Sequence, residues 1–280
     1  MQPDAATAAA RLARFFEGVQ LPTLPEVAHT LVSTLNDEDI PFEKVQKAIS
    51  RDPALTAKLL RLANSARFGL PRQVVTLDDA ITMVGLNQVR TLAMAACLAG
   101  SFSAVKGVDS TMFWQASSAT AGYAQWLARP VGADVQQAWL AGFMVRLGEL
   151  IIAQKAPEEI FAIERLPHLA GVRWEREISA LGFTEAHVAA ELARRWNFPE
   201  SIVQGLRTAA DPLEAEPFSR IGAIVHLAAL LAELELDEHK SHDDAIAALP
   251  EAVVQLLRLD PEWLREHMPD VATFTDTSFA

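Results

Sequence analysis

The sequence predicts an all-α fold on two observations. Half of the 280 residues are hydrophobic but only 7% are aromatic, and alanine and leucine predominate over the β-branched and aromatic residues that favour strands. Apolar residues also recur at intervals of three and four, which is the spacing of one helix face. The segments with this spacing are separated by residues that typically begin or end helices.

The chain begins with short predicted helices. The first, residues 4–18, is amphipathic, and the second, residues 23–35, begins through Pro25. Pro41 is predicted to begin a third helix, because proline at the first helical position leaves no hydrogen bond unmade.

Residues 49–98 contain the strongest helix signals. Asp52 is an N-cap residue followed by Pro53 at the first helical position. Thr76 is predicted to cap the next helix and Asn87 the one after it. The residues predicted to end the first two of these helices are Gly69, Pro71 and Gly85.

A polar cluster interrupts the apolar face at the end of the first of these helices: Arg61, Asn64 and Ser65. Asn64 and Ser65 can fasten the helix end to the following turn, since both side chains bond readily to nearby backbone. The alternative interpretation is a contact with a ligand or a partner protein.

The second half follows an internal boundary at residues 101–109. A helix is predicted to begin there at Asp109 or Ser110, and Pro199 is predicted to begin a further helix through Ile202, Val203 and Leu206. The remaining predicted helices are 113–127, 134–154, 174–181, 184–197, 218–234, 244–257 and 261–267, with a polar tail over 270–280.

Composition excludes several classes of function. The net charge is -12 and the sequence pI is about 5.0, so no direct DNA binding is expected. The single cysteine, Cys97, permits neither a disulfide within the chain nor a cysteine-based metal site. The N-terminus does not resemble a signal peptide, and no apolar run has the length of a membrane span. We therefore expect a cytoplasmic protein without a membrane partner.

Two segments carry a resemblance to a known family: DPALTAKLLRLANSARFG and LDDAITMVGLNQVRTLAM. They resemble the HDOD family, the HD-related output domain of bacterial signalling proteins, over residues from about Leu21 to Asp211. The resemblance implies a multi-helix HDOD fold, with an N-terminal helical subdomain and a degenerate HD-like helical subdomain. The chain would divide into an N-terminal helix (1–18), the HDOD domain (19–211, as units 19–105 and 106–211) and C-terminal helices (212–280) that pack on the HD-like unit.

The resemblance also shows where an HD-type phosphohydrolase would carry its metal ligands. In this chain those positions are Ala116, Val145, Arg146, Glu185, Ala209 and Ala210. His187 is offset by two residues from the expected histidine, about 200° around a helix. We therefore expect no catalytic residues, no metal and no cofactor. His239, His242 and Asp243 could ligate a metal at loop spacing, but solvated acidic segments carry such clusters by chance, and this segment is interpreted as a loop or a helix start.

Arg146 needs an anionic partner if it points into the vestigial pocket, because a buried unpaired guanidinium is costly. That partner could be Glu149, Glu185 or a bound anion, and surface exposure is the remaining alternative.

The function that the resemblance implies is a non-catalytic regulatory or output module in bacterial signal transduction, such as a two-component system or response regulator. It would act by contact with a sensor kinase, receiver or regulator, with Arg61, Asn64 and Ser65 as candidate contact residues, and the chain could form a homodimer. The alternative is a sensor of a nucleotide or other phosphate-bearing ligand, anchored by Arg146.

Overall fold

The computed structural model describes residues 5–35, 42–64, 70–167, 169–237, 241–275 and 277. These residues form helices without any strand, so the predicted all-α fold is confirmed. The first half contains α1 (Ala5–Phe15), α2 (Glu26–Val32), α3 (Phe42–Ser50), α4 (Pro53–Ala63), α5 (Leu77–Val84) and α6 (Leu86–Ser101).

The second half begins with α7, which has the predicted N-cap Asp109. Its helices are α7 (Ser110–Val131), α8 (Val135–Met144), α9 (Leu147–Lys155), α10 (Pro157–Glu164), α11 (Arg173–Leu181), α12 (Glu185–Arg195) and α13 (Glu200–Thr208). The C-terminal helices are α14 (Arg220–Glu235), α15 (His242–Ala247), α16 (Glu251–Leu256) and α17 (Pro261–His267), followed by a short 3-10 helix (Val271–Thr273).

Most predicted helix starts are confirmed. The side chain of Asp52 accepts a hydrogen bond from the Leu55 amide at 3.0 Å, and that of Thr76 accepts one from the Asp79 amide at 3.1 Å. The predicted role of Asn87 is wrong. Gly85 is itself the N-cap of α6, with φ 96° and ψ 145°, and so places Asn87 inside the first turn. Pro41 and Gly69 lie outside the described residues.

Two predicted helices are each divided in the structure. The helix expected over 134–154 becomes α8 and α9, separated at Val145 and Arg146. The helix expected over 244–257 becomes α15 and α16, because Pro250 begins a new helix. The sequence analysis also missed α10, although Pro157 occupies its first helical position.

Two hydrophobic clusters meet along α7. One cluster joins the first half of the chain to α8–α13 and includes Phe113 and Trp114 of α7. The other joins Tyr123 and Leu127 of α7 to the C-terminal helices. The longest C-terminal helix, α14, packs along α7, α8 and α13. Residues of α7 and of α14 form part of the wall of the cavity described below.

In the described part of the chain, no single helix has both the length and the apolar composition to cross a membrane. Only α5 and α6 taken together pass that test, and they are bent by 119° at Gly85.

The start of α9 lies directly against the start of α12. A Cβ atom at Gly148 would overlap the backbone carbonyl of Glu185. Only glycine permits this approach, because backbone atoms in a packed core cannot move aside as a flexible side chain can.

We expect Gly148→Ala to lower the free energy of unfolding by about 1–3 kcal/mol or more, as overpacking does. Gly100→Ala is the matched control, since a Cβ there meets nothing within 4 Å and alanine in a helix should add about 0.5–1 kcal/mol. Urea denaturation measures both. Equal effects of the two substitutions would contradict the close backbone contact.

Candidate functional site

A cavity of about 760 Å³ opens between α7, α10, α11 and α14. Four of the positions singled out by the family resemblance line it: Ala116, Val145, Arg146 and Glu185. Ala209 and Ala210 are not among its lining residues. The Ala209 carbonyl instead accepts a hydrogen bond from Nδ1 of His226 at 2.8 Å. The ring of His226 lies 5.7 Å from that of Trp174, which does line the cavity.

Arg146 pairs inside the protein. Its guanidinium Nη2 lies 2.6 Å from Oε2 of Glu149, and its side chain keeps 22% of its surface exposed. The break between α8 and α9 makes this possible, because Arg146 is the N-cap of α9 and Glu149 lies in the first turn. The expectation of an internal carboxylate partner is confirmed, with Glu149 in that role.

Arg173, at the start of α11, holds the remaining carboxylates together. Its guanidinium lies 3.4 Å from a carboxylate oxygen of Glu149, 3.2 Å from one of Glu177 and 3.3 Å from one of Glu185. It also pairs with Glu164 of α10 at 2.5 Å. We call Arg146, Glu149, Arg173, Glu177 and Glu185 the ion network.

Further hydrogen bonds fix the carboxylates of the ion network. Oε2 of Glu177 accepts from the Glu185 amide at 2.7 Å, and Oε1 of Glu185 accepts from the Trp174 indole at 3.1 Å. Three glutamates and two arginines leave one excess negative charge if all are ionised. That charge is unfavourable in a buried site, where both desolvation and like charges oppose ionisation.

The pKa values of the three carboxyl groups follow from their burial and from the charges close to them. Burial, together with the charge of neighbouring Glu185, raises the pKa of Glu177 well above its usual range. Burial also raises the pKa of Glu185, although Arg173 opposes it. Burial would do the same to Glu149, but Arg146 and Arg173 hold the pKa of that carboxyl below its usual value. The surroundings therefore favour the ionised form of Glu149 and the protonated form of Glu177.

The histidines considered as ligands have other roles. Nδ1 of His187 accepts a hydrogen bond from the Thr184 amide at 3.0 Å, which completes a capping box at the start of α12. His242 lies 2.6 Å from a carboxylate oxygen of Glu235, and His239 lies outside the described residues. Among the described residues, no three histidine, cysteine, aspartate or glutamate side chains are grouped so as to hold a metal ion.

The side chain of Asn64 links two segments of the chain by hydrogen bonds. Its amide Nδ2 donates to the carbonyls of Leu60 and Val74, each at 2.7 Å, and its Oδ1 accepts from the Val74 amide at 2.7 Å. The side chain thus ties the end of α4 to the segment before α5. Arg61 is exposed on α4, and Ser65 lies outside the described residues. Their predicted role in partner contact stays a prediction.

The sequence analysis missed Arg173, Trp174 and Glu177. The only signal in the sequence was the spacing of Arg173 and Glu177 by four residues, which is common on solvated helix faces and so indicates no site by itself.

We expect Asn64→Ala to lower the free energy of unfolding by about 1–3 kcal/mol, because the buried Val74 backbone loses both of its partners. Arg61→Ala is the control and should leave stability within about 0.5 kcal/mol. Urea denaturation measures both. Unchanged stability of Asn64→Ala with lost partner binding would support the contact role instead.

We expect Glu177→Gln to change how stability depends on pH. A pKa raised in the folded state contributes stability that is complete below the unfolded-state pKa and is lost as pH rises toward the folded-state value. Glutamine stays neutral throughout. As pH rises above about 4.3, the unfolded-state pKa of a glutamate, the wild type should therefore lose stability relative to Glu177→Gln, by at most about 1.4 kcal/mol per pH unit.

Glu191→Gln is the matched control for that measurement. Hydrogen bonds from Arg194 and Arg195 lower the pKa of Glu191 to about 2, so this surface carboxylate does not titrate in the same window. Identical pH profiles for the two variants would show that Glu177 carries no retained proton.

Comparison with known proteins identifies a family and a related protein. The family profile of the HDOD domain matches residues 21–212. An uncharacterised protein of Treponema pallidum is 26% identical over 198 residues, which cover 67% of this chain but only 37% of that protein. The chain thus spans little more than a third of the curated relative that it matches.

The solved structures that resemble nearly the whole chain include the following two. A candidate phosphohydrolase from Shewanella amazonensis is 28% identical, with a TM-score of 0.80 and coverage of 97% of this chain and 98% of that one. A candidate signal transduction protein from Marinobacter aquaeolei is 23% identical, with a TM-score of 0.78 and coverage of 98% and 64%. Because the family profile matches more than half of its length, the chain belongs to the HDOD domain family.

Proposed function

We propose that the protein is a non-catalytic regulatory module of bacterial signal transduction that acts by contact with a partner protein. The observation that supports this most directly is the ion network. Its two guanidinium groups lie in the cavity where the family resemblance places the metal ligands of HD-type phosphohydrolases.

Electrostatics explains why this arrangement opposes a metal centre. A divalent cation would need the carboxylates of Glu149 and Glu185, and both already compensate Arg146 or Arg173. Binding would bring the cation close to fixed positive charges in a site of low dielectric, where the repulsion is strong. Without a metal the cavity lacks the Lewis acid and the activated water that phosphoester hydrolysis requires.

The names of the relatives point in two directions. The Shewanella amazonensis protein is called a candidate phosphohydrolase and the Marinobacter aquaeolei protein a candidate signal transduction protein. The ion network favours the second class for this chain. A cytoplasmic sensor kinase, receiver or regulator would then be the partner, as in a two-component system.

A phosphate-bearing ligand is the second candidate, and one observation favours it. Nε of Arg146 is buried without a hydrogen-bond partner among the described residues. The charge of the cavity weighs against an anion, however. Asp109, Glu164, Glu233 and Asp237 line it together with two carboxylates of the ion network, and an added phosphate would be repelled by them.

Elemental analysis of the purified, chelator-free protein, with a phosphodiesterase assay in added manganese, tests the proposal. We expect neither stoichiometric metal nor turnover. Glu185→Ala, in the cavity, and Glu191→Ala, on the surface of the same helix, form a matched pair. Metal present in the wild type and in Glu191→Ala but lost in Glu185→Ala would establish a metal centre and refute the proposal.

The same preparations test the second candidate by their melting temperatures. Adenosine triphosphate should leave the melting temperature unchanged, because a ligand stabilises a protein only by binding its folded state. A rise that disappears in Arg146→Met would favour the ligand sensor.

A further inference from the structure

The mouth of the cavity is ringed by exposed apolar side chains. They are Met112, Leu166, Leu169 and Leu236, with exposed fractions of 68%, 48%, 57% and 37%. These are four of the nine large hydrophobic side chains that are exposed in the described residues. Such clustering marks an interaction surface, whereas single exposed apolar residues are ordinary.

The cavity behind this mouth can receive a side chain. Its walls include the buried residues Phe113, Ile160 and Ile163. A volume of about 760 Å³ falls in the range of clefts that bury a ligand or an anchoring group. The mouth therefore combines an apolar rim with an apolar interior.

The charge around the mouth is negative. Glu164 already pairs with Arg173. Outside that pair and the ion network, the lining contains three carboxylates, Asp109, Glu233 and Asp237, and one arginine, Arg176. The two groups that face the loop between α10 and α11 bond to backbone, since Glu233 accepts from the Gly171 amide at 2.7 Å and Arg176 donates to the Pro167 carbonyl at 2.7 Å. A carboxylate bonded to a neutral amide keeps its charge, so the rim remains acidic.

We propose that this mouth binds a basic amphipathic helix of a partner protein, with an apolar side chain in the cavity and lysine or arginine against the acidic rim. The inference rests on the proposed function and names the contact surface, which differs from the predicted one at Arg61 and Asn64. Complementary charge steers such an encounter and excludes partners of the wrong sign.

The helical form follows from the walls of the site. The described residues offer no strand edge, so an extended peptide would find no ladder of backbone partners. A helix satisfies its own backbone and can present anchors at intervals of three and four to the rim. A second copy of this chain is a poor occupant, because symmetric docking of this mouth would place acidic rim against acidic rim.

The probe for this proposal is a fluorescent peptide of about 18 residues, built of leucine and lysine with all leucines on one helix face. One control peptide has the same composition in scrambled order, and another has glutamate in place of lysine. Fluorescence anisotropy measures the dissociation constant. We expect the amphipathic basic peptide to bind most tightly, and its binding to weaken with salt.

Leu166→Ser in the rim and Leu256→Ser on α16 form a matched pair, because their exposed fractions are 48% and 45%. The first should weaken binding roughly tenfold and the second should not. Met112→Ser is a second rim variant should Leu166→Ser fail to fold. Circular dichroism establishes that each variant is folded.

Equal affinity for the scrambled or acidic peptide, or equal loss in Leu166→Ser and Leu256→Ser, would overturn the proposal. A wild-type dimer that Leu166→Ser converts to a monomer in sedimentation would show that a second copy occupies the mouth, and would overturn it as well. Either result leaves the metal and turnover measurements unaffected, so failure of the docking surface is distinguishable from failure of the non-catalytic function.

Discussion

The arrangement of the helices around the cavity depends on the guanidinium of Arg173. It lies within ion-pair distance of carboxylates from four helices: α9, α10, α11 and α12. The only fully buried side chain of α11 is Glu177, so the deepest contact of this helix is polar, while Trp174 and Leu181 pack against the core at its two ends. A buried ion pair gives little net stability over apolar packing, but the loss of one partner is strongly unfavourable.

The backbone geometry of α9 and α12 brings the residues of the ion network together. The separation of α8 from α9 makes Arg146 an N-cap, and three residues later Glu149 lies on the same side of the helix. Gly148, between them, lets the start of α12 approach with no side chain in the way. Glu185 is the first residue of α12, so the close approach of the two helix starts places its carboxylate within the ion network. The charged cavity is a consequence of how two helix starts meet.

Local signals in the sequence were sufficient for the fold class and for most helix starts, because a cap such as Asp52 or Thr76 acts within three residues of itself. They failed where the outcome depended on tertiary contacts. Apolar residues keep helical spacing across Arg146, at Leu140, Met144 and Leu147, so no pattern marks the break before α9. The resemblance identified Ala116, Val145, Arg146 and Glu185, which the structure brings together. It could not identify Arg173 or Glu177, whose role depends on carboxylates supplied by other helices.

The ion network also determines which conditions in a cell can alter the cavity. A metal ion is held at equilibrium and can be lost to a chelator, exchanged for a competitor or left out when supplies are low. An arginine is part of the polypeptide and keeps its charge at any physiological pH. The positive charges of Arg146 and Arg173 are therefore present from the moment the chain folds. Under the proposed function, the shape of this surface would not depend on metal supply, and changes in its occupancy would follow the partner.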